Sequence, residues 1–332
     1  AAMHHHPQFK EMPLVTLKQI LSEAQKGKYG VGAFNVNNME QIQAIVGAAS
    51  ETNSPVIIQA SRGALKYSNL IYLKKLMEAA VEDNPTVPIC LHLDHGDTLE
   101  SCKTAISLGF TSVMIDASHH GYEENVAITK SVCEYAHERG VSVEAELGTL
   151  GGIEEDISGV VQLTDPEQCV DFCTRTGVDA LAVAIGTSHG AYKFTSTPTL
   201  AMDLINEIRE KTGVPLVMHG SSEVPAHLRE EIIKYGGHMP NAMGVPTPMV
   251  VEAISRGICK INIDSDSRMA VTASIRKMFT EKPEVFDPRA YMGPARQAQQ
   301  ELLVEKMNAY GTSGHAQDYE CVSLEDAKKW YA

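Results

Sequence analysis

The sequence predicts a (β/α)8 TIM barrel, an α/β fold, with a loop insertion between its seventh and eighth strands and an extra helix near the C-terminus. Three observations predict it. Short apolar, β-branched runs recur eight times, each followed by a stretch of helical periodicity, which is the sequence form of parallel strands joined by crossover helices. The 332 residues suffice for one large barrel or for two ordinary domains, and no composition break or Pro/Ser-rich linker divides them. An open, doubly wound sheet is the alternative, but it normally carries a glycine-rich nucleotide fingerprint after its first strand. Asn35-Val36-Asn37-Asn38 stands there instead.

Taken in order, the first strand is VGAFNV (31–36), followed by a helix from Met39 to Glu51. PVIIQAS (55–61) and a helix from Leu70 to Asp83 come next, then VPICLHLDH (87–95) and SVMIDAS (112–118). A helix from Glu123 to Arg139 leads to VSVEAEL (141–147), and one from Pro166 to Thr176 leads to ALAVAIGTSHG (180–190). A helix from Thr199 to Lys211, the strand PLVMHGS (215–221) and a helix from Ala226 to Lys234 follow. Residues 236–246, rich in Gly and Pro, read as the inserted loop, ICKINIDSD (258–266) as the eighth strand and residues 293–311 as the extra helix. The start, AAMHHHPQFKE, reads as an expression-tag remnant over residues 1–11, leaving a single catalytic domain over 12–332 and excluding His4, His5 and His6 from any site.

Composition narrows the partners. With 28 basic against 42 acidic residues the formal net charge is −14, which argues against nucleic acid and anionic membrane surfaces. No apolar run approaches the ~20 residues of a membrane span, and no signal peptide is visible. The seven cysteines are odd in number and form no C-x-x-C pair, so reduced thiols and a cytoplasmic location are expected.

The chemistry gathers at one end of the predicted barrel. Asn35, Ser61, Asp94, His95, Glu146, His189, His219, Asn262 and Asp264 all fall at or just past the C-terminal ends of strands, the face where barrel enzymes build their sites. His95, His189 and His219, from three strands, form a candidate three-histidine site for Zn²⁺ with a position open for a substrate oxygen. His92 reads as interior packing, and His119 and His120 are weaker rivals. Adjacent strand residues point to opposite faces, so Asp94 and His95 reach one site only if the strand ends there, which Gly96 favours. Asp94 is then either an acid/base or a support that orients a ligand. After Glu144 and Glu146 comes a glycine-containing acidic loop, Leu147 to Asp156, read either as a mobile carrier of an acid or as a solvated surface loop. Gly220-Ser221-Ser222 and Asn262 to Arg268 are the two loops that commonly hold phosphate in this fold, with capping of a helix near Met269 by Ser265 or Ser267 as a compatible role. Lys193 and Arg268 are the nearest cations, and Lys260 reads as a barrel-lining partner of carboxylates.

The motifs Leu91-His92-Leu93-Asp94-His95-Gly96, Glu144-Ala145-Glu146-Leu147-Gly148, Thr187-Ser188-His189-Gly190, Met218-His219-Gly220 and Lys260-Ile261-Asn262-Ile263-Asp264-Ser265-Asp266 closely resemble, in order, those of class II fructose-1,6-bisphosphate aldolases. The resemblance extends from about Thr16 to the end of the chain. It implies Zn²⁺ bound by His95, His189 and His219, with Glu146 stabilising the metal site or an alternative metal position. It implies that Asp94 exchanges a proton with the C4 hydroxyl, and that Glu154 or Glu155 handles the proton at C3. Gly190, Lys193, Gly220, Ser222 and Ser265 would surround the first phosphate, Asn35, Ser61, Asn262 and Asp264 would contact the sugar, and Arg268 is the candidate for the second phosphate. A homodimer or homotetramer and a place in glycolysis and gluconeogenesis are implied too, while a monovalent cation is left open. One departure stands out: many members read His-Gly-Gly-Ser where this chain has His219-Gly220-Ser221-Ser222, and a serine restricts backbone approach where a glycine does not.

The activity implied is reversible, Zn²⁺-dependent cleavage of fructose-1,6-bisphosphate to dihydroxyacetone phosphate and glyceraldehyde-3-phosphate. Tagatose-1,6-bisphosphate, the C4 epimer, is the alternative substrate. A metal-dependent hydrolase with Asp94 as base, and a noncatalytic metal- or partner-binding protein, are the readings from other classes.

Overall fold

The computed structural model describes residues 14–148, 163–192, 194, 198–320 and 322–332, with the backbone alone of 151–154 and 157–158. The elements run α1 (Leu17–Gly27), β1 (Val31–Asn35), α2 (Met39–Thr52), β2 (Val56–Ser61), α3 (Arg62–Ser68), α4 (Leu70–Asp83), β3 (Ile89–Gly96), α5 (Leu99–Ser107), β4 (Ser112–Ile115), α6 (Tyr122–His137) and β5 (Ser142–Leu147). They continue with β6 (Gly151–Glu154), β7 (Ile157–Ser158), α7 (Pro166–Thr176), β8 (Ala180–Val183), β9 (Ser188–His189), α8 (Met202–Thr212), β10 (Leu216–Met218), α9 (Ala226–Lys234), α10 (Thr247–Arg256), β11 (Ile258–Ile263), α11 (Ser265–Glu281), α12 (Pro288–Ala309) and α13 (Leu324–Ala327). Eight parallel strands close in the order β1-β11-β10-β8-β5-β4-β3-β2, and β7-β6-β9 form a separate small sheet.

Two apolar layers hold this arrangement. Outward residues of the strands, such as Ile58, Leu91, Val113, Val143 and Leu181, pack against the inner faces of the surrounding helices. Inside the lower barrel, Ala33, Ile57, Cys90, Ala182 and Val217 meet Leu17, Ile20, Leu21 and Ala24 of α1, which covers that end. The Thr16 side chain accepts from Gln19 N at the helix start, so α1 begins where its apolar stripe begins. Fully burying one such leucine is worth about 1.5–3 kcal/mol. The structure adds α1, α3, α5, α10 and α13 to the expected helices.

The ranges of α4, α7 and α9 coincide with those expected. Three expectations need correction. The run 180–190 is not one strand: β8 stops at Val183, Gly186 turns at φ 107°, and Ser188–His189 leaves the barrel to pair with Gly151–Gly152. The insertion between the seventh and eighth barrel strands ends in a helix, α10, introduced by Pro246 and Pro248. α11 begins at Ser265 rather than near Met269, with Asp264 at the cap position and no side-chain cap bond from it or from the serines. α12 starts at Pro288, at the proline that suits a first helical turn, and packs on α2 and α11.

Candidate active site

Asp94 and His95 share the site because β3 bulges. The strand runs on to Gly96, but its register with β4 shifts between Leu93 and Gly96, and His95 takes φ 50°. This left-handed conformation is rare outside glycine, and it puts two consecutive side chains into one pocket where simple alternation forbids it. The expected strand end is therefore replaced by a bulge. Gly96 matters for packing, since a Cβ there would stand 2.6 Å from Met114 O.

Three imidazoles converge beside Asp94. The ring centroids of His95 and His219 are 4.9 Å apart, those of His95 and His189 5.5 Å, and those of His189 and His219 6.4 Å. Two of the rings are fixed from behind by carboxylates: His95 Nδ1 lies 3.0 Å from Asp116 Oδ2, and His219 Nε2 lies 2.7 Å from Glu144 Oε2. Each ring therefore turns its other nitrogen forward. His219 Nδ1 is buried without a hydrogen-bond partner, 3.4 Å from Glu146 Oε1, and His95 Nε2 has only Asp94 Oδ1 at 3.7 Å, too far to bond. Among the described residues no three His, Cys, Asp or Glu side chains stand in ready-made metal geometry. The donor set nonetheless fits a divalent cation, because a carboxylate behind a histidine is the usual arrangement that sets the tautomer of a metal ligand.

Beneath the histidines lies a buried ionic cluster. Glu144 Oε1 is 2.8 Å from Lys260 Nζ and 3.1 Å from His92 Nε2, all three side chains fully enclosed. Burial opposes the charge on Glu144, but Lys260, His219 and His92 outweigh it and hold the carboxyl well below its usual range. Burial, outweighing the pull of Glu144, lowers both His219 and His92 from the usual histidine range. Lys260 also donates to Asn262 Oδ1 at 2.7 Å, so the lysine is committed to polar neighbours, as its sequence context suggested.

Around His95 the balance differs. Burial works against its imidazolium, but Asp94, Asp116 and Glu146 outweigh burial and carry it up to about 10. Burial and then Asp116 push Glu146 well above the ordinary carboxyl range, and its Oε2 accepts from the Ser118 hydroxyl at 2.8 Å. Asp94 is oriented by a chain of amides: Asn35 Nδ2 donates to its Oδ2 at 3.0 Å, and Gln59 Nε2 donates to Asn35 Oδ1 at 2.8 Å.

The pocket is lined by Asn35, Asp94, His95, His189, Gly190, His219, Gly220, Ser221, Ser222, Asn262, Asp264 and Ser265. Gly220 has φ 61° and lies so close to Ser188 that a Cβ would overlap the Ser188 carbonyl. Ser221 needs no such freedom, because its φ is not positive and its hydroxyl donates to Met218 O at 2.7 Å. The α11 N-terminus, with Ser265 in its first turn, opens on the same cavity and suits an anion. A wider groove between α9, α11 and α12, with His227, Glu231, Lys277 and Glu301 on its walls, is built from helix surfaces and lies away from these residues.

Other expected residues are placed less centrally. Ser61 pairs in register with Asp94, and its hydroxyl accepts from Ala64 N at the start of α3. Arg268 sits at the rim, gripping Asp264 with Nε at 3.0 Å and Nη2 at 2.7 Å. Lys193 and Glu155 lie outside the described residues, as does the side chain of Glu154, whose backbone pairs with Ile157. The rings of His119 and His120 meet at a tilt of 36° with centroids 4.3 Å apart and do not line the pocket.

Sequence reasoning missed Gln59, Asp116, Ser118 and Arg62. A lone Gln or Asp inside an apolar strand, as in VIIQAS and SVMIDAS, was the available signal for the first two. Arg62, whose Nε donates to His95 O at 3.2 Å, carried no such signal.

Comparison with known proteins places the chain in a family. The family model described as fructose-bisphosphate aldolase class-II matches residues 15–315. The chain is 66% identical over 322 residues to the fructose-bisphosphate aldolase of Giardia intestinalis, covering 96% of this chain and all of that protein. It is 45% identical over 329 residues to the fructose-bisphosphate aldolase of Treponema pallidum, covering 93% of this chain and 99% of that one. The crystal structure of the YdjI aldolase from Escherichia coli K12 superposes with a TM-score of 0.76 at 31% identity, covering 91% of this chain and 99% of that chain.

Proposed function

The chain belongs to the class II fructose-bisphosphate aldolase family, a lyase family acting on a phosphorylated sugar, and we propose that its own activity uses Zn²⁺ held by His95, His189 and His219. The enzyme is a fructose-bisphosphate aldolase, cleaving the C3–C4 bond of fructose-1,6-bisphosphate to dihydroxyacetone phosphate and glyceraldehyde-3-phosphate. One observation supports the metal reading above others: His95 and His219 are each held from behind by a carboxylate and present the remaining nitrogen beside Asp94.

A divalent cation bound there supplies Lewis-acid stabilisation of the negative charge that develops as the bond breaks, so no lysine Schiff base is required. Asp94 takes the proton of the C4 hydroxyl and returns it in the condensation direction, with Asn35 and Gln59 holding the carboxylate in place. Glu154 or Glu155 exchanges the C3 proton. Glu146 steadies the histidines or an alternative metal position. Gly190, Lys193, Gly220, Ser222 and Ser265 receive the first phosphate, Ser61, Asn262 and Asp264 contact the sugar, and Arg268 approaches the second phosphate.

Complete metal removal with a strong chelator tests this reading. Retro-aldol cleavage should vanish and return on adding Zn²⁺; cleavage that survives stripping overturns it. We further place the enzyme in the cytoplasm as a homodimer or homotetramer. The six cysteines among the described residues are unpaired, and Tyr67, Ile71 and Tyr72 expose 79%, 61% and 70% of their surface at one corner, where a second subunit can cover them. Among the described residues no helix is long and apolar enough to cross a membrane. Light scattering checks the assembly.

A further inference from the structure

The segment that follows His219 is fixed from beneath by a buried charge pair that the chemistry above does not use. Asp266, in the first turn of α11, is fully buried, and its carboxylate accepts from the backbone N–H of Glu223 at 2.8 Å and of Val224 at 2.7 Å. Lys306, in the last turn of α12 and 3% exposed, lies 3.0 Å from Asp266 Oδ2 and 3.2 Å from Glu223 Oε2. Glu223 Oε2 also accepts from the Thr247 hydroxyl at 2.6 Å, and Val245 N donates to Ser222 O at 2.9 Å.

The backbone held in this way is strained. Val224 takes φ 54°, and a β-branched residue is a rare outlier in the left-handed region, so it persists only where its surroundings over-determine it. The two Asp266 bonds supply that determination. Lys306 in turn places the opposite charge 3.0 Å from Asp266 where no solvent reaches, and removing one partner of such a pair leaves the other buried and uncompensated. Two residues before Val224 is Ser222, which lines the pocket together with Gly220 and His219. Were Val224 to relax to negative φ, the peptides before it would turn and carry the Ser222 amide and hydroxyl with them.

We propose that Lys306 is a positioning residue for phosphate binding: acting through Asp266, it holds Glu223 and Val224 so that Gly220, Ser221 and Ser222 keep the conformation that receives a substrate phosphate. The pair thus links α12, a helix that contributes nothing to the pocket lining, to recognition of the phosphorylated sugar. The inference rests on the reading of Gly220 to Ser222 as a phosphate-binding segment.

The test compares Lys306→Met, Lys306→Arg, Asp266→Asn and Ser222→Ala in the metal-loaded enzyme. It reads KM and kcat for fructose-1,6-bisphosphate, the Kd of inorganic phosphate by calorimetry, and metal content. Lys306→Met should raise KM and weaken phosphate binding about tenfold, as a displaced binding group does, while kcat stays within about threefold and metal content is unchanged. Lys306→Arg should recover most of the affinity. Should Lys306→Met fail to fold, Asp266→Asn, which keeps an acceptor oxygen while weakening the ion pair, carries the same comparison. A folded variant with lowered Tm but unchanged KM and phosphate Kd overturns the inference, leaving the pair a structural one. Weakened phosphate binding in Ser222→Ala without any in Lys306→Met defeats the role of Lys306 alone; unchanged phosphate binding in Ser222→Ala defeats the reading of the segment itself, and the inference with it.

Discussion

His219 Nε2 lies 2.7 Å from Glu144 Oε2, so a carboxylate inside the barrel fixes which imidazole nitrogen faces the substrate cavity. The same carboxylate is 2.8 Å from Lys260 Nζ. A single glutamate therefore couples the stability of the barrel interior to the readiness of the candidate metal site.

Replacing Glu144 with Gln should separate these two roles. The uncompensated Lys260 should cost about 3–5 kcal/mol of stability, measured by denaturant unfolding. Loss of the acceptor behind His219 should weaken metal binding about 10–100-fold in competition with a chromophoric chelator. Adding Lys260→Met should restore much of the stability and little of the metal affinity; recovery of both together would show that Glu144 acts on the metal only through folding.

Asp94→Asn keeps the shape and the contact with Asn35 but removes the base. We expect kcat to fall about 10²–10⁴-fold with metal content retained. Steady-state kinetics with metal analysis on the same sample decides it, and a kcat near that of the parent enzyme would exclude proton transfer by Asp94.

Gly220 and Ser221 should respond oppositely to substitution. Gly220→Ala forces a Cβ against the Ser188 carbonyl at φ 61°, so both stability and substrate affinity should fall, the backbone conformation alone costing roughly 1 kcal/mol. Ser221→Gly recreates the His-Gly-Gly-Ser pattern common in the family, yet Ser221 already has an ordinary φ and spends its hydroxyl on Met218 O. Its KM should therefore stay within about threefold of the parent, since the only proton of that hydroxyl is already given to Met218 O.

Alkaline pH should weaken the closed lower end of the barrel. Tyr29 and Tyr319 share a buried hydrogen bond of 2.8 Å, and burial, acting against that bond, lifts the Tyr29 hydroxyl to about 12. An unfolded tyrosine ionises near about 10, so the folded chain retains a proton that the unfolded chain releases. The stability contributed by this group is complete below that pH and is lost as pH rises towards the folded value. The urea midpoint of the parent should drop more steeply between these limits than that of Tyr29→Phe; parallel slopes would remove the pair as the cause.

Much of the site was legible before folding was considered. His95, His189, His219, Asp94, Asn35, Asn262 and Asp264 could be placed at one end of a barrel because the position of a residue along a strand fixes its height in the sheet. Their supports were not legible in the same way. Asp116 reaches His95 across neighbouring strands, and Gln59 reaches Asp94 only through Asn35. These pairings depend on strand register, which a linear sequence does not display.

The sequence specifies the barrel through eight apolar runs alternating with helical stretches and through the lack of a glycine-rich fingerprint after the first strand. It also determined the chemical inventory at the strand ends. How that inventory is aimed follows from long-range contacts. Alternation along β3 sends Asp94 and His95 to opposite faces, and a bulge with His95 at φ 50° overrides it. Likewise the charge on Lys306 acquires a function only when α12 folds back on α11 and brings it 3.0 Å from Asp266. Local pattern fixes which elements form, whereas orientation and electrostatic coupling arise from contacts between residues far apart in the chain.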